Sequence, residues 1–239
     1  FAQSGYAVSG VDLSEEMLAV AREKSDERHL HIDWHRQDIT SLNLVDEAGE
    51  DLVFDAVIAT FDVFNHLTEP EELQMLFHAL NPLLADEGVL LFDVQTPYKL
   101  QEYLGNHIFT LHRDDVEYMW ENHFDEESQI CTMEITFFLK EENGLYRRET
   151  MTQEEKVYDL DLLRMWLKYS DFEVAGVYGE LSEDDVADEA HRAVFVAKPM
   201  LYDGSDEWLE EDLADLPDFA DENEYFFEED FAEDEKSFS

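Results

Sequence analysis

The chain has 239 residues, 61 of them acidic and 15 basic, which gives a formal net charge of −46. Such a negative field repels phosphate backbones, so it argues against nucleic acid and favours a cationic or neutral small molecule as the partner. The 44% hydrophobic content is enough to build a core. No apolar run reaches the roughly 18 residues of a membrane helix, and a single cysteine excludes an internal disulfide. We therefore expect a cytoplasmic protein.

The first half of the chain alternates short apolar runs with amphipathic segments, as in a parallel sheet flanked by helices. We predict a strand ending at Asp12, a helix capped by Ser14, and a second strand ending before Asp38. The strands and helices predicted in this half cover 6–11, 14–24, 30–36, 54–61, 69–80 and 89–94.

The second half begins with a change of period. Residues 108–158 alternate polar and apolar side chains, which predicts an inserted antiparallel sheet. A helix over 159–169 and strands near 173–178 and 192–197 are predicted to close a domain that ends at residue 199. Residues 200–239 hold 17 acidic residues with Lys236 as the one base, and they predict a disordered acidic tail.

Two carboxylates follow the first two predicted strands. In an open α/β sheet, ligands bind beyond the carboxyl ends of the strands, and an acid there can accept both hydroxyls of a ribose. Asp12 and Asp38 occupy such positions. The structural alternatives are that Asp12 helps to cap the helix at Ser14 and that Asp38 is a turn residue.

The order and the amino-acid sequences of these segments resemble class I S-adenosylmethionine-dependent methyltransferases over about residues 1–198. A subgroup of bacterial small-molecule methyltransferases is similar in further motifs, and some antibiotic-sugar N-methyltransferases share the plan. The segments that carry the resemblance are Gly5–Leu18, Arg36–Ile39, Phe54–Val57 and Leu84–Leu90, with Phe61–Leu67, Phe92–Lys99, Trp120–Asn122 and Gly144–Arg148 for the subgroup.

The resemblance implies a doubly wound, mainly parallel Rossmann-like α/β sheet and a cleft for S-adenosylmethionine. By this resemblance Asp12 binds the ribose diol, Leu13 packs on the adenine, and Asp38 accepts a hydrogen bond from the adenine amino group beside Ile39. It also places Phe61 and Asp62 near the sulfonium. The structural alternatives are that Phe61 packs in the core and that Asp62 caps a helix.

Acceptor-binding residues are expected after the third and fourth strands of the chain and in the insert. His66 is the one plausible base here, because its reference pKa suits proton removal from an amine or a hydroxyl. Asn65 is a candidate for substrate contact, or else a turn residue. Tyr98, Trp120 and Tyr146 are candidates for lining the acceptor pocket, with aromatic core packing as the alternative.

The sequence departs from the family at its start. Family members begin with a strand that ends in an acid and a Gly-x-Gly turn, and this sequence starts after that turn. We therefore expect a chain truncated at its amino end, in which the strands around Val8 and Val57 lack the strand that joins them.

No metal site is predicted, because the alternating His29, His31 and His35 have no fixed carboxylate partner. We expect an enzyme that methylates a nitrogen or oxygen atom of a small molecule. The alternatives are an NAD-dependent oxidoreductase, in which Asp12 would hold the NAD ribose, and a non-catalytic binding protein that acts through its acidic tail. The sequence does not predict an oligomeric state.

Overall fold

The computed structural model describes residues 1–46, 48–180 and 182–201. The predicted acidic tail lies outside the described residues from residue 202 onward. The strands are β1 (Ser9–Asp12), β2 (Asp33–Arg36), β3 (Phe54–Ala59), β4 (Leu84–Gln95), β5 (Ile108–His112), β6 (Val116–Asp125), β7 (Ile130–Lys140), β8 (Tyr146–Lys156), β9 (Phe172–Gly179) and β10 (Arg192–Pro199). The α-helices are α1 (Glu15–Glu27), α2 (Pro70–Leu80) and α3 (Leu160–Tyr169), and a π-helix covers Tyr98–Leu104.

Each predicted strand and helix is present, with shifts at some ends. The β1 strand starts at Ser9 rather than Tyr6, because parallel pairing begins where Ser9 faces Asp33. Ser14 caps α1 by accepting a hydrogen bond from the Met17 N–H, and Asp159 caps α3 through two backbone N–H groups. The π-helix at 98–104 was not predicted, since its hydrogen-bonding pattern does not follow the 3.6-residue period.

The strands form three sheets. In the first sheet, β1 and β2 pair in parallel. The second sheet has the order β3-β4-β10-β9, in which β3 and β4 are parallel and β10 runs antiparallel to both of its neighbours. The third is the predicted antiparallel insert, β5-β6-β7-β8. The α/β class is therefore confirmed, with a mixed central sheet. The strand β1, which follows Val8, and the strand β3, which contains Val57, lie in separate sheets.

Aromatic packing fixes one end of the central sheet. Phe92 of β4 stacks on Phe195 of β10 with ring centroids 4.8 Å apart, and Phe64, just after β3, lies 4.9 Å from Phe92. Phe77 of α2 completes the group at 5.6 Å from Phe92. All four rings are buried, so they hold the turn after β3 against the last residues of β4.

No helix in the described part of the chain is both long enough and apolar enough to span a membrane.

Candidate functional site

The carboxyl ends of β1 and β2 carry the two predicted nucleoside ligands. Asp12 is the last residue of β1, it is half-buried, and its Oδ1 accepts a hydrogen bond of 2.8 Å from the Ser14 N–H. Asp38 follows β2 and caps a short 3-10 helix by accepting from Thr40, which holds the pKa of Asp38 below its usual range. Because β1 and β2 are parallel neighbours, both carboxylates follow strands at the same edge of this sheet.

The turn after β3 has an unusual backbone. Phe61 and Asp62 both have left-handed conformations, with φ angles of 64° and 56°. The buried carboxylate of Asp93, near the end of β4, accepts hydrogen bonds from the N–H groups of both residues, at 2.8 and 3.2 Å. These bonds compensate for the backbone strain and leave the Phe61 ring 79% exposed at the tip of the strand.

One guanidinium joins this turn to the central sheet. Arg192 donates from Nη2 to Asp62 Oδ1 at 2.9 Å, and its Nη1 contacts Asp93 Oδ2. Arg192 is the first residue of β10, and since β10 is antiparallel to β4, it lies opposite Gln95 at the end of β4. The negative charges of Asp62 and Asp93 therefore share one cation, with the side chains of all three residues mostly buried.

A third carboxylate, that of Glu155, reaches the same place from the insert. Gln95 Nε2 donates to Asp62 Oδ2 at 3.0 Å and to Glu155 Oε2 at 2.7 Å, and Gln153 Nε2 donates to the other oxygen of Glu155 at 3.3 Å. Glu155 is fully buried near the end of β8. Burial, and then the negative charge of Asp62, raise the pKa of Glu155 to about 8, while the Lys99 ammonium acts in the opposite direction.

Asn65 and His66 lie in a short 3-10 helix that follows Asp62. Asn65 is fully buried, and its side chain bonds to the backbone of Gln95 and to the carbonyl of Lys156, so it ties β4 to the end of β8. His66 is exposed, and its Nδ1 lies 3.2 Å from the carbonyl oxygen of Glu154.

The structure therefore brings four side chains together at the end of β3, and we call Asp62, His66, Gln95 and Glu155 the tip cluster. One nitrogen or oxygen atom from each of Asp62, His66 and Glu155 lies within 4.8 Å of the others. The cluster contains the carboxylate of Asp62, which is paired with Arg192, and the carboxyl group of Glu155, which is bonded to two amides. It also contains the imidazole of His66, which is exposed to solvent. It can bind a cation, and its imidazole can accept a proton.

The π-helix adds a basic and aromatic border. Lys99 Nζ lies 3.9 Å from the ring centroid of Tyr103, and the Tyr103 ring lies 4.3 Å from the His191 ring. Burial lowers the pKa of Lys99, and the negative charges of Glu180, Glu155 and Asp62 oppose this effect. The predicted pocket residue Tyr98 belongs to this border, because its ring lies 6.0 Å from that of His191.

The other predicted residues are spread more widely. Leu13 is 61% exposed beside Asp12, while Ile39 is half-buried against the main core. Trp120 lies on β6, where it packs on Phe109 and the small core of the insert. Tyr146 begins β8 and Glu155 lies near its end, so at about 3.3 Å per residue they are roughly 30 Å apart. The structure therefore does not bring Tyr146 to the tip cluster.

Sequence reasoning missed five residues of the site. Asp93 and Gln95 end a strand just as Asp12 does, so the strand-end rule would have found them. Arg192 starts an antiparallel strand, which places it at the same edge, but this direction was not read from the sequence. Glu155 gave no signal, because a run of charged residues is typical of an exposed strand or loop, and Lys99 gave none because it is a single lysine between uncharged neighbours.

Three comparisons bear on identity. Residues 1–88 match a family model described as a methyltransferase domain. A protein of Geobacillus sp. (strain WCH70), named a "putative methyltransferase", is 30% identical over 197 residues, which are 82% of this chain and 77% of the relative. The crystal structure of an S-adenosylmethionine-dependent methyltransferase from Clostridium acetobutylicum ATCC 824 superposes with a TM-score of 0.77 at 28% identity, covering 84% of this chain and 78% of that one.

A more distant structure shows the same fold. It is an amino pentose methyltransferase from Micromonospora echinaspora with S-adenosylmethionine bound, at 20% identity and a TM-score of 0.64, and the match covers 83% of this chain and 76% of that chain.

Proposed function

Because the chain belongs to the class I S-adenosylmethionine-dependent methyltransferases, we propose that it methylates a nitrogen or oxygen atom of a small molecule at the end of β3. The observation that carries the proposal is the exposed Phe61 ring next to an imidazole and two carboxylates. An apolar surface that a cofactor can cover lies there beside a group that can take a proton. The amino pentose named for the distant relative supports a small acceptor.

The residues at the strand ends fit the cofactor. Leu13 and Phe61 are large apolar side chains that are 61% and 79% exposed at the ends of β1 and β3, where a bound purine and a methionine chain would cover them. Asp12 and Asp38 provide acceptors at the edge between Leu13 and Ile39. When bound, S-adenosylmethionine supplies an electrophilic methyl group, so the protein itself needs only to align, desolvate and deprotonate the acceptor.

We assign the cofactor contacts as follows. Asp12 keeps Oδ2 free of the Ser14 bond, so this oxygen can accept from a ribose hydroxyl. Asp38 stays ionised because Thr40 bonds to it, and an ionised carboxylate is a strong acceptor for an amino group. Phe61 and Asp62 border the methyl group, and the bonds from Asp93 and Arg192 keep both residues in place.

On the acceptor side, His66 takes the proton from the attacking atom, because it is the exposed imidazole of the tip cluster. The contact between His66 Nδ1 and the Glu154 carbonyl fits an Nδ1–H tautomer, which leaves Nε2 as the basic atom. Asn65 supports this position from beneath through the backbone of β4 and β8, while Tyr98 and Trp120 are proposed to line the approach of the acceptor.

The experiment is a thermal-shift and calorimetric comparison of cofactors on the full chain. We expect S-adenosylhomocysteine to raise the melting temperature and NAD to leave it unchanged. Stabilisation by NAD alone would contradict the proposal and restore the oxidoreductase alternative. The third alternative, binding through the acidic tail, concerns residues beyond 201, and equal S-adenosylhomocysteine affinity in a chain ending at Leu201 would separate cofactor binding from the tail.

A further inference from the structure

We propose that the acceptor is an amine, and that its ammonium group binds between Glu155, Asp62 and the amide oxygen of Gln95 before it is methylated. This inference rests on the proposed function and names its substrate class. It assigns to the insert, through Glu155, a role in recognising the acceptor.

The first step is the buried carboxyl group of Glu155, which lacks a cationic partner among the described residues. Its two oxygens accept from the amides of Gln95 and Gln153, which are neutral donors. Among the residues that the structure describes, no Lys, Arg or His nitrogen forms an ion pair with Glu155, whereas Asp62 and Asp93 share Arg192. Buried carboxylates are normally paired with a cation, so Glu155 has a place for one from outside the chain.

The second step is an independent observation on Gln95. Its side chain is more than nine-tenths buried, and its Nε2 is bonded to both Asp62 and Glu155. Its Oε1 is buried without a hydrogen-bond partner among the described residues. A buried acceptor of this kind calls for a donor, and an ammonium group offers three N–H donors. A hydroxyl offers one, so the site favours an ammonium over an alcohol.

The third step is the cation already near the site. Lys99 acts electrostatically on Glu155 and Asp62, but its ammonium lies on the ring of Tyr103 and makes no ion pair with either. Holding Lys99 on an aromatic ring keeps the carboxylates available to a ligand.

The reaction that follows is balanced within the site. An N–H proton of the bound ammonium passes to Nε2 of His66, which frees the nitrogen lone pair. That lone pair forms the new N–C bond to the methyl group, while the C–S bond breaks and its electron pair stays on sulfur. Methylation itself restores the positive charge on the nitrogen, so the product leaves as a methylated ammonium without taking up a proton, and His66, being exposed, returns its own proton to solvent.

A divalent cation is the competing occupant, because one ligand atom from each of Asp62, His66 and Glu155 lies within 4.8 Å of the others. Two features favour the ammonium. Arg192 already neutralises Asp62, and the Nε2 group of Gln95, a donor, lies between the two carboxylates. A metal ion would have to displace that donor.

The site should also release a proton when it fills. Glu155 is faced by Asp62, His66 and Lys99 and by Cys131 on the neighbouring strand β7. Since burial raises the pKa of Glu155 to about 8, most of this carboxyl is protonated at neutral pH, and an ammonium must displace that proton. We therefore expect ammonium affinity to rise between pH 6 and pH 8.

The experiment uses two probes of one shape, cyclohexylamine and cyclohexanol, titrated by ligand-observed NMR into the full chain saturated with S-adenosylhomocysteine. We expect cyclohexylammonium to bind at least about 10-fold more tightly than cyclohexanol, as a charge-assisted hydrogen bond allows. Glu155→Gln should remove this preference. The matched control Glu154→Gln changes the exposed neighbour on the same strand and should keep it.

Other results would overturn the inference. Two of these results are equal binding of the two probes by the parent chain and an unchanged preference for cyclohexylammonium in Glu155→Gln. The third is that Mn²⁺ binds the parent chain in competition with cyclohexylammonium and no longer binds in Glu155→Gln. Circular dichroism of Glu155→Gln checks that the variant is folded, and Gln95→Met, which deletes the unpartnered oxygen, gives a second test with the same expected loss. Absence of S-adenosylhomocysteine binding would instead refute the proposed function.

Discussion

Arg192 and Asp62 are 130 positions apart in the sequence, and their side chains meet in an ion pair of 2.9 Å. The same guanidinium contacts Asp93, which in turn holds the N–H groups of Phe61 and Asp62. The start of β10, the end of β4 and the turn after β3 are therefore connected by one charge. Both the shape of the turn and the position of the tip cluster depend on it.

Replacing this cation should destabilise the protein. In Arg192→Gln the mostly buried carboxylates of Asp62 and Asp93 lose their shared partner, and we expect the free energy of unfolding in urea to fall by about 2 to 4 kcal/mol. The matched control is Arg22→Gln, which removes an exposed ion pair with Glu15 and should cost less than about 1 kcal/mol. Equal losses in the two variants would contradict a special role for Arg192.

The strained backbone at Phe61 predicts a separation of stability from binding. Phe61→Ala and Phe61→Gly both delete the exposed ring, but glycine alone accepts a φ of 64° without strain. We expect Phe61→Gly to be more stable than Phe61→Ala by about 1 kcal/mol in urea unfolding, and both to bind S-adenosylhomocysteine more weakly than the parent chain. If the alanine variant is as stable as the glycine variant, the turn carries no strain.

Much of this architecture could be predicted because it is local. The apolar run at 54–59 and the cap Ser14 are predicted from neighbouring residues, and the switch to alternating polarity at 108 indicates the insert. The strand-end rule places Asp12 at the sheet edge for the same reason.

The rest of the site depends on contacts between distant segments. Glu155 looks like one acid in a charged run, and only the docking of β8 against Asn65 and Gln95 buries it. Tyr146 lies on the same strand, and its aromatic character suggested a pocket, yet the length of the strand carries it away from the tip cluster. Periodicity gives the face of a strand, but not which of its ends meets another sheet.

The carboxylate of Asp12 should control cofactor affinity more than stability. Asp12→Asn keeps an oxygen for the Ser14 N–H but loses the charge that favours a ribose diol. We expect the Kd for S-adenosylhomocysteine, measured by calorimetry, to rise about 10- to 100-fold, as the loss of charge-assisted hydrogen bonds predicts. Asp33→Asn, an exposed change at the other end of the same sheet, should leave the Kd unchanged. A similar Kd for the two variants would remove Asp12 from the cofactor site.

Glu155 should make the protein less stable as the pH rises. Burial and then Asp62 raise its folded-state pKa from 4.5 to about 8, so between these values the folded chain holds a proton that the unfolded chain has lost. The contribution of the protonated carboxyl to stability is complete below pH 4.5 and is lost as the pH rises through about 8, with a slope of at most about 1.4 kcal/mol per pH unit. Urea unfolding at pH 5, 6, 7 and 8 should show Glu155→Gln gaining on the parent chain at each step, because the amide cannot ionise. Since the other titrating groups are common to both proteins, their effects cancel in the difference, and a difference that is constant with pH would mean that Glu155 is already ionised in the folded protein.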